Sequence, residues 1–190
     1  MRNFEYENYA HYVSCQIDGF NRKKDNVWVR PSELNKIIKD IRENLENVEF
    51  GICHGVRTGF EVDYLRRKLK GTNIIGTEIG PTDHSCIIQM DFHDIKDEWV
   101  SNVDFIYSNS FDHSNRPAHC LKQWRICLKE NGILYLTWVR SISQKLDSVD
   151  CLSAELNEYE KGLRKAGFRI VRWLRPEKRR VVLVAKKEIK

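Results

Sequence analysis

The sequence lacks the patterns that mark metal-binding, secreted or membrane proteins. Its six cysteines form no CxxC pair and no Cys/His cluster with metal-ligand spacing, so we expect packing thiols and neither a zinc site nor a disulfide framework. It has no N-x-[ST] sequon, no signal-peptide core near its start and no apolar run of membrane-spanning length. These absences favour a protein of the cytoplasm with no metal and no membrane partner.

Internal repeats, low-complexity tracts and linkers are also absent from the 190 residues. A chain of this length can bury one sizeable core but not two. We expect residues 1–30, which are rich in aromatic side chains, to pad the core or to cap a site. Residues 31–190 are expected to form a single domain.

Charge is distributed unevenly along the chain. Residues 161–190 contain twelve Lys or Arg and two Asp or Glu, a formal +10, so the preceding 160 residues sum to −5 within a total of +5. A basic surface on the last elements is the simplest interpretation, and a docking face for a polyanion is the alternative. Few aromatic residues are interleaved with these charges, which makes nucleic acid the weaker interpretation.

Apolar runs of strand length alternate with helical patterns from residue 31 onwards. A helix is expected from Pro31, with Ser32 as its N-cap. Five strands are expected in VEFGI, NIIGTEI, CIIQM, VDFIYS and GILYLTWV, with helical patterns up to Leu69 and in DIKDEWVSN, PAHCLKQWRICLKE and CLSAELNEYEKGLRKAG. Continuously apolar strands in this order are typical of a parallel sheet that is covered on both faces.

The end of the chain breaks this alternation. FRIVRWL and RVVLVAKK are separated by a short polar loop, which predicts an antiparallel hairpin. The expected fold is therefore α/β, a Rossmann-like, doubly wound and mostly parallel sheet of seven strands that ends in an antiparallel hairpin.

Open parallel sheets bind ligands beyond the carboxyl ends of their strands. Four polar stretches occupy such positions here, namely EFGICHG after the first strand, Glu78 at the end of the second, DFHD after the third and SNSFDH after the fourth. Glycine at Gly51 and Gly55 allows a sharp turn whose amides can approach a ligand. No GxxxxGK[ST] motif is present, so a P-loop nucleotidase is not expected.

Together with the terminal hairpin, this ordered set resembles the class I S-adenosylmethionine-dependent methyltransferases from about residue 34 onwards. VDFIYSNSFDHSNRPAHCLKQWRICLKENGILYL is the most similar piece, since it matches the family's fourth strand, the loop and helix that follow, and the fifth strand. The family usually has an acidic residue followed by G-x-G-x-G. Glu49, Gly51 and Gly55 fit this pattern, whereas Cys53 replaces the middle glycine.

The resemblance implies S-adenosyl-L-methionine as the cofactor and assigns roles to residues around it. The glycine turn would hold the methionine end, Arg57 and Thr58 at the next helix start would hold its carboxylate, and Glu78 would accept both ribose hydroxyls. Asp91 and Phe92 would meet the adenine. The expected cofactor-binding residues are Gly51, Cys53, Gly55, Arg57, Thr58, Glu78, Asp91, Phe92 and Ser108.

Methyl transfer from a sulfonium to a hydroxyl requires alignment and removal of one proton. His113 is the expected general base, with Asp112 beside it, because the resemblance places the loop after the fourth strand next to the transferred methyl. Packing against the cofactor is the alternative role for His113. Weaker candidates are His54, His84, His93 and His119. Asp112, Asp147 and Asp150 could converge from two loops, but they lack a recognisable metal-ligand spacing.

The methyl acceptor is expected to be a hydroxyl of a sugar, a glycan or another small polar molecule. The loop from Val139 to Ser153 is rich in Ser, Gln and Asp, and the N-terminal aromatics could stack on a sugar face. SNSFDH is not the Asn/Asp-Pro-Pro-Tyr-like turn that accompanies methylation of amines. The alternatives are a nucleic-acid or protein methyltransferase, a non-catalytic module that binds nucleic acid through the basic hairpin, and an NAD-dependent oxidoreductase, since Glu78 also suits NAD.

Overall fold

A seven-stranded sheet forms the centre of the computed structural model, which describes residues 1–140 and 145–188. The strands are β1 (Arg2–Asn3), β2 (Phe50–His54), β3 (Asn73–Glu78), β4 (Ile87–Gln89), β5 (Val103–Ser108), β6 (Leu128–Val139), β7 (Leu152–Ser153), β8 (Phe168–Glu177) and β9 (Arg180–Lys187). The α-helices are α1 (Tyr9–Lys23), α2 (Pro31–Asn44), α3 (Phe60–Lys68), α4 (Pro117–Cys127) and α5 (Leu156–Lys165).

The strands of the main sheet lie in the order β4-β3-β2-β5-β6-β9-β8. The five strands from β4 to β6 are parallel, whereas β9 is antiparallel to both β6 and β8. The predicted fold, including the terminal hairpin, is confirmed. A separate two-stranded ribbon pairs β1 with β7 and so ties the start of the chain to the segment before α5.

The strand order reverses between β2 and β5, which are hydrogen-bonded neighbours. Their last residues, His54 and Ser108, are register partners, so the loops that follow both strands leave the sheet side by side. A reversal of this kind opens a crevice at the carboxyl ends of the strands, where open α/β sheets bind ligands.

Core side chains alternate between the two faces of the sheet, as the pleat requires. In β2, Ile52 packs with Trp124 of α4 and Leu163 of α5, whereas Cys53 packs on the opposite side with Ile37 of α2. Every described helix is too short or too polar to cross a bilayer.

Two local predictions are wrong. DIKDEWVSN forms only one 3-10 turn, Asp97–Trp99, because Ser101 adopts a left-handed backbone with φ 54° and donates its amide to the carbonyl of Ile126. Ser32 is not the N-cap of α2. That helix begins at Pro31 with Arg30 as N-cap and no side-chain capping bond, so Ser32 lies inside the first turn.

Candidate active site

Two adjoining cavities lie at the carboxyl ends of β2, β3 and β5. The larger cavity has a volume of about 250 Å³, and the smaller cavity has a volume of about 50 Å³. The residues that line both are Lys23, Gly55, Arg57, Ser110 and His113. These cavities bring together residues of α1, the turn after β2 and the loop after β5.

The turn after β2 begins at Gly55, which has a φ of 71°. A Cβ atom there would lie 2.6 Å from Cβ of Ser110, so both the conformation and the space favour glycine. Helix α3 begins only at Phe60, because Gly59 is its N-cap with a φ of 85°. The sequence predicted that Arg57 and Thr58 lie at the helix start. They lie instead in the turn before the helix, and both line the larger cavity.

Gly51 and Cys53 do not belong to this turn, which corrects the predicted motif. Both lie inside β2, because the strand continues to His54, and neither lines either of these two cavities. A Cβ atom on Gly51 would lie 2.2 Å from the ring of Phe105, so this glycine makes room for a neighbouring strand. Complete burial raises the pKa of the Cys53 thiol well above its usual value.

Glu78 ends β3, as predicted, and it lines the smaller cavity. Its carboxylate accepts the backbone amide of Arg57 at 2.6 Å and that of Gly80 at 3.1 Å. The amide of Arg57 points this way because its residue adopts a left-handed backbone, φ 50°. The turn after β2 therefore fixes the orientation of the acid at the end of the neighbouring strand.

Asp91 and Phe92 line the same cavity from the segment after β4. The carboxylate of Asp91 accepts hydrogen bonds from the hydroxyl of Tyr9 and from the amide of His93, both at 2.9 Å. Burial opposes ionisation of Asp91, but the bonds from His93 and Tyr9 outweigh it and hold the pKa below its usual value.

Helix α1 covers the smaller cavity. Its residues there are Tyr12, Gln16, Gly19, Phe20 and Lys23, and the ring of Phe20 lies directly over Gly80. The helix therefore narrows the space between itself and the carboxyl ends of the strands.

The other predicted cofactor residue, Ser108, lines neither cavity. It is fully buried at the end of β5, donates its hydroxyl to the carbonyl of His54 at 3.1 Å and accepts the amide of Ser110 at 3.2 Å. Ser108 thus holds the loops after β2 and β5 together. Ser110, which the sequence analysis did not assign, is the residue of this loop that reaches both cavities.

His113 lies in the loop after β5, and its ring is oriented by hydrogen bonds to Nδ1. The carbonyl oxygen of Val149 lies 2.8 Å from Nδ1, and Oε1 of Gln16 lies 3.1 Å from it. Both partners are acceptors, so Nδ1 carries the hydrogen and Nε2 of the neutral ring has a free lone pair. This nitrogen lies 3.9 Å from Asp112 and 3.7 Å from Asp150.

The two carboxylates beside His113 differ in their partners. Asp150 forms ion pairs with Lys23 at 3.3 Å and Lys145 at 3.1 Å; despite burial, its contacts with His113 and both lysines lower its pKa. Asp112 is 8% exposed, and among the described residues no group other than its own backbone amide donates a hydrogen bond to its carboxylate. Burial and the charge of Asp150 raise the pKa of Asp112.

Asp112, His113 and Asp150 each offer an atom that could bind a metal ion, and these atoms lie within 4.8 Å of one another. No metal site was predicted from the sequence. The ammonium groups of Lys23 and Lys145 already supply positive charge at Asp150. Asp147 does not join the cluster, because its carboxylate accepts the amides of Val149 and Asp150 at 2.8 Å each.

The segment between α1 and α2 forms one wall of the larger cavity through Asn26, Val27 and Trp28. Its backbone is anchored from two sides: Arg57 donates to the carbonyl of Asn26 at 3.0 Å, and Arg180 donates to that of Trp28 at 3.0 Å. The side chain of Trp28 is left 48% exposed. The aromatic richness of residues 1–30 was the only sequence signal for this wall.

Several cavity residues were not found from the sequence. Gln16, Lys23 and Glu61 contribute polar groups, yet each lies far along the chain from His113. Nothing in their local sequence distinguishes them from ordinary helical surface residues. Of the predicted acceptor loop Val139–Ser153, residues 141–144 lie outside the described residues, while Val139, Lys145 and Asp150 line the larger cavity.

The remaining histidines have structural surroundings. His54 stacks on Trp124 with a ring distance of 4.8 Å, and burial lowers its pKa to about 3, so it is neutral. His93 is buried between Asp91 and Ser114. His84 contacts Asp63, and His119 is exposed on α4. His113 is the histidine that lines both cavities.

No protein-family model and no curated protein matches this sequence. Among solved structures, the chain is similar to Burkholderia thailandensis 1,6-didemethyltoxoflavin-N1-methyltransferase with bound 1,6-didemethyltoxoflavin and S-adenosylhomocysteine. The TM-score is 0.77 and the identity 12%, over 97% of this chain and 92% of that one. The chain has the fold of the class I methyltransferases.

Two further structures support this fold assignment. An S-adenosylmethionine-dependent methyltransferase from Clostridium acetobutylicum has a TM-score of 0.66 and 11% identity, over 95% of this chain and 99% of that one. Mitomycin 7-O-methyltransferase MmcR has a TM-score of 0.59 and 12% identity, over 82% of this chain and 54% of that one. Solved methyltransferases with this fold thus include enzymes named for N- and O-methylation.

Proposed function

We propose that the protein is an S-adenosyl-L-methionine-dependent O-methyltransferase that acts on a hydroxyl of a sugar, a glycan or another small polar molecule. The observation that carries the proposal is the position of His113. This residue lines both cavities at the carboxyl ends of the strands, its Nδ1 is bonded to Val149 and its Nε2 lies 3.9 Å and 3.7 Å from two carboxylates, in a fold shared with methyltransferases.

The residues around the two cavities suit the cofactor chemically. Glu78 offers a carboxylate for the ribose hydroxyls, Phe92 offers an apolar ring for the base, and Arg57 offers cationic nitrogens for a carboxylate. Because α1 covers the smaller cavity and its Tyr9 is bonded to Asp91, this helix would contact the bound cofactor. When bound, the cofactor supplies an electrophilic methyl group.

His113 would then accept the proton of the acceptor hydroxyl at Nε2. Once protonated, the imidazolium would lie between Asp112 and Asp150, so their negative charges favour proton transfer. Lys23 and Lys145 keep Asp150 ionised and in place. The hydrogen bond from Nδ1 to Val149 fixes the ring and leaves Nε2 as the basic nitrogen.

The walls of the larger cavity favour a polyol as the acceptor. Trp28 provides a partly exposed aromatic face at one side, and Asn26, Asn109 and Lys145 provide hydrogen-bonding groups around it. Sugars present apolar C–H faces and several hydroxyl groups, which match this combination.

The proposal is tested by thermal unfolding with a panel of ligands. We expect S-adenosylmethionine and S-adenosylhomocysteine to raise the melting temperature, because a ligand that binds only the folded state stabilises it. NAD is the control that presents the same ribose hydroxyls. Stabilisation by NAD and not by the adenosyl amino acids would support the oxidoreductase alternative and contradict our proposal.

Acceptors are tested next by transfer of a labelled methyl group to nucleotide-sugars, oligosaccharides, DNA, RNA and protein. We expect label in a sugar fraction. The basic surface of the hairpin favours the polyanion alternative only weakly, because Arg172 is paired with Asp40 and Arg180 with Glu33 inside the protein. Label in nucleic acid or protein, and none in sugars, would contradict the proposed acceptor class.

A further inference from the structure

Glu61 is a buried acid in the wall of the larger cavity, in the first turn of α3. It is only 4% exposed. Within the described ranges 1–140 and 145–188, its carboxylate forms no ion pair and receives no hydrogen bond from another residue; the backbone amide of Glu61 itself is its donor. A buried carboxyl group with so few partners is costly, because little replaces the water that it loses on folding.

The ionisable groups that face Glu61 come from five neighbouring segments. They are Glu33 of α2, Cys53 of β2, Arg57 of the turn, Glu78 of β3 and Tyr107 of β5. Glu33 is paired with Arg180 and accepts the hydroxyl of Tyr107, and Glu78 accepts two amides. Glu61 is the acid of this group whose charge has no such partner.

Within the methyl-transfer reaction proposed above, on which this inference rests, we propose that Glu61 binds the α-ammonium group of the cofactor's methionine part. The turn Gly55–Thr58, which precedes α3, and Glu61 line the same cavity. Arg57 offers a positive charge there, and Glu61 offers a negative charge once it loses its proton. An amino acid carries this pair of charges, carboxylate and ammonium, at one carbon atom.

Protonation of Glu61 supports this assignment. Burial, with added repulsion from Glu78 and Glu33, raises its pKa to about 8, although Arg57 opposes the shift. At pH 7 the group is then mostly a neutral acid. An ammonium group placed beside it favours the carboxylate, so binding should release a proton to the solvent.

The test is isothermal titration calorimetry at pH 7 in buffers of different ionisation enthalpy, which counts protons released on binding. S-adenosylhomocysteine carries the ammonium group, whereas 5′-methylthioadenosine has the same adenosine but lacks the amino-acid end. We expect about 0.9 proton released per S-adenosylhomocysteine, from a pKa of about 8 at this pH, and close to none with 5′-methylthioadenosine.

The variant Glu61→Gln removes the titrating group and keeps its size, and Asp63→Asn is the matched control on the exposed side of the same helix. We expect Glu61→Gln to abolish proton release and to lower the affinity for S-adenosylhomocysteine about tenfold. The affinity for 5′-methylthioadenosine should stay unchanged. Asp63→Asn should behave as the unchanged protein.

Three outcomes would overturn the inference. The first is equal proton release on binding of the two ligands to the unchanged protein; this outcome needs no variant, so the test does not depend on the folding of Glu61→Gln. The second is that folded Glu61→Gln still releases the same number of protons when S-adenosylhomocysteine binds. In both cases adenosyl ligands bind and the proposed function stands, whereas failure of both ligands to bind would remove both proposals.

Discussion

The two adjoining cavities differ in how their carboxylates are satisfied. Beside the smaller cavity, Glu78 and Asp91 each accept at least two hydrogen bonds from groups held by the fold. Beside the larger cavity, Glu61 and Asp112 are equally buried but receive no hydrogen bond from other described residues. The first pair is oriented before any ligand arrives. The second pair lacks hydrogen-bond donors from other described residues, and a bound molecule would supply them.

This contrast indicates where stability is lost in favour of function. Burial of an unpartnered acid destabilises a folded chain, and such arrangements are found where ligands or reacting groups bind. Substitutions at the two cavities should therefore differ in kind. At the smaller cavity they should weaken binding alone, and at the larger cavity they should also alter catalysis, proton binding or stability.

The largest effect is expected from His113→Ala. Loss of a general base typically lowers turnover by about 10²- to 10⁴-fold. Affinity for S-adenosylhomocysteine should stay within about twofold, because the Glu78 and Asp91 contacts remain. Methyl transfer and calorimetry measure the two quantities, and His119→Ala, which changes an exposed histidine, is the control. Turnover that survives in His113→Ala would reject His113 as the base.

The next effect concerns the pH dependence of stability. The folded-state pKa of Glu61, about 8, lies above the unfolded value, so the folded state retains this proton as the pH rises from 5 to 8 while the unfolded state loses it. Stability due to this group therefore falls as the pH rises through that window. We compare the free energy of unfolding of Glu61→Gln with that of the unchanged protein. This difference should shift in favour of the variant by on the order of 3 kcal/mol between pH 5 and pH 8.

Denaturant unfolding at several pH values measures this difference. The same comparison with Asp63→Asn should show little change, because that acid is exposed. Parallel pH profiles for Glu61→Gln and the unchanged protein would mean that Glu61 is ionised in the folded state. The carboxyl groups at the two cavities would then not differ in their ionisation.

A smaller effect is expected from Gly55→Ala. Its Cβ atom would collide with Ser110, and φ at 71° is unfavourable for alanine by about 1–2 kcal/mol. We expect adenosyl ligands to bind at least tenfold more weakly, because the turn lines both cavities. Gly71→Ala is the matched control, since its φ is 87° and no atom lies near the added Cβ. Equal ligand affinities in the two variants would contradict a role for the turn in binding.

The smallest effect is expected from metal removal. Lys23 and Lys145 already place positive charge beside Asp150, so dialysis against EDTA should leave both methyl transfer and the melting temperature unchanged. Manganese or magnesium added afterwards should have no effect either. Stabilisation by one of these ions, lost in Asp112→Asn, would instead show that the cluster with His113 holds a cation.

The sheet and the general position of the site could be predicted because both depend on local patterns. Continuous apolar runs identified the strands, and polar residues directly after them identified Glu78, Asp91 and His113. The errors also have local causes. The prediction ended β2 too early, so Gly51 and Cys53 were placed in the turn, and a glycine needed beside Phe105 looks the same in sequence as one needed by a ligand.

The residues that the sequence did not identify depend on contacts between distant segments. Gln16 reaches His113 across 97 residues, and Lys23 reaches Asp150 across 127. Glu61 was missed for a different reason, because an acid in the first turn of a helix is ordinary. Its unusual state results from burial beneath other elements, which no local pattern reports.

The contact between Arg180 and Trp28 bears on when the cavity can form during protein synthesis. Arg180 begins β9, bonds to Glu33 and holds the backbone of Trp28 at the cavity wall. A ribosome adds this arginine 152 residues after Trp28. The wall beside His113 can therefore reach its final shape only after β9 has emerged, which would delay reactivity until long after the other cavity residues have been synthesised.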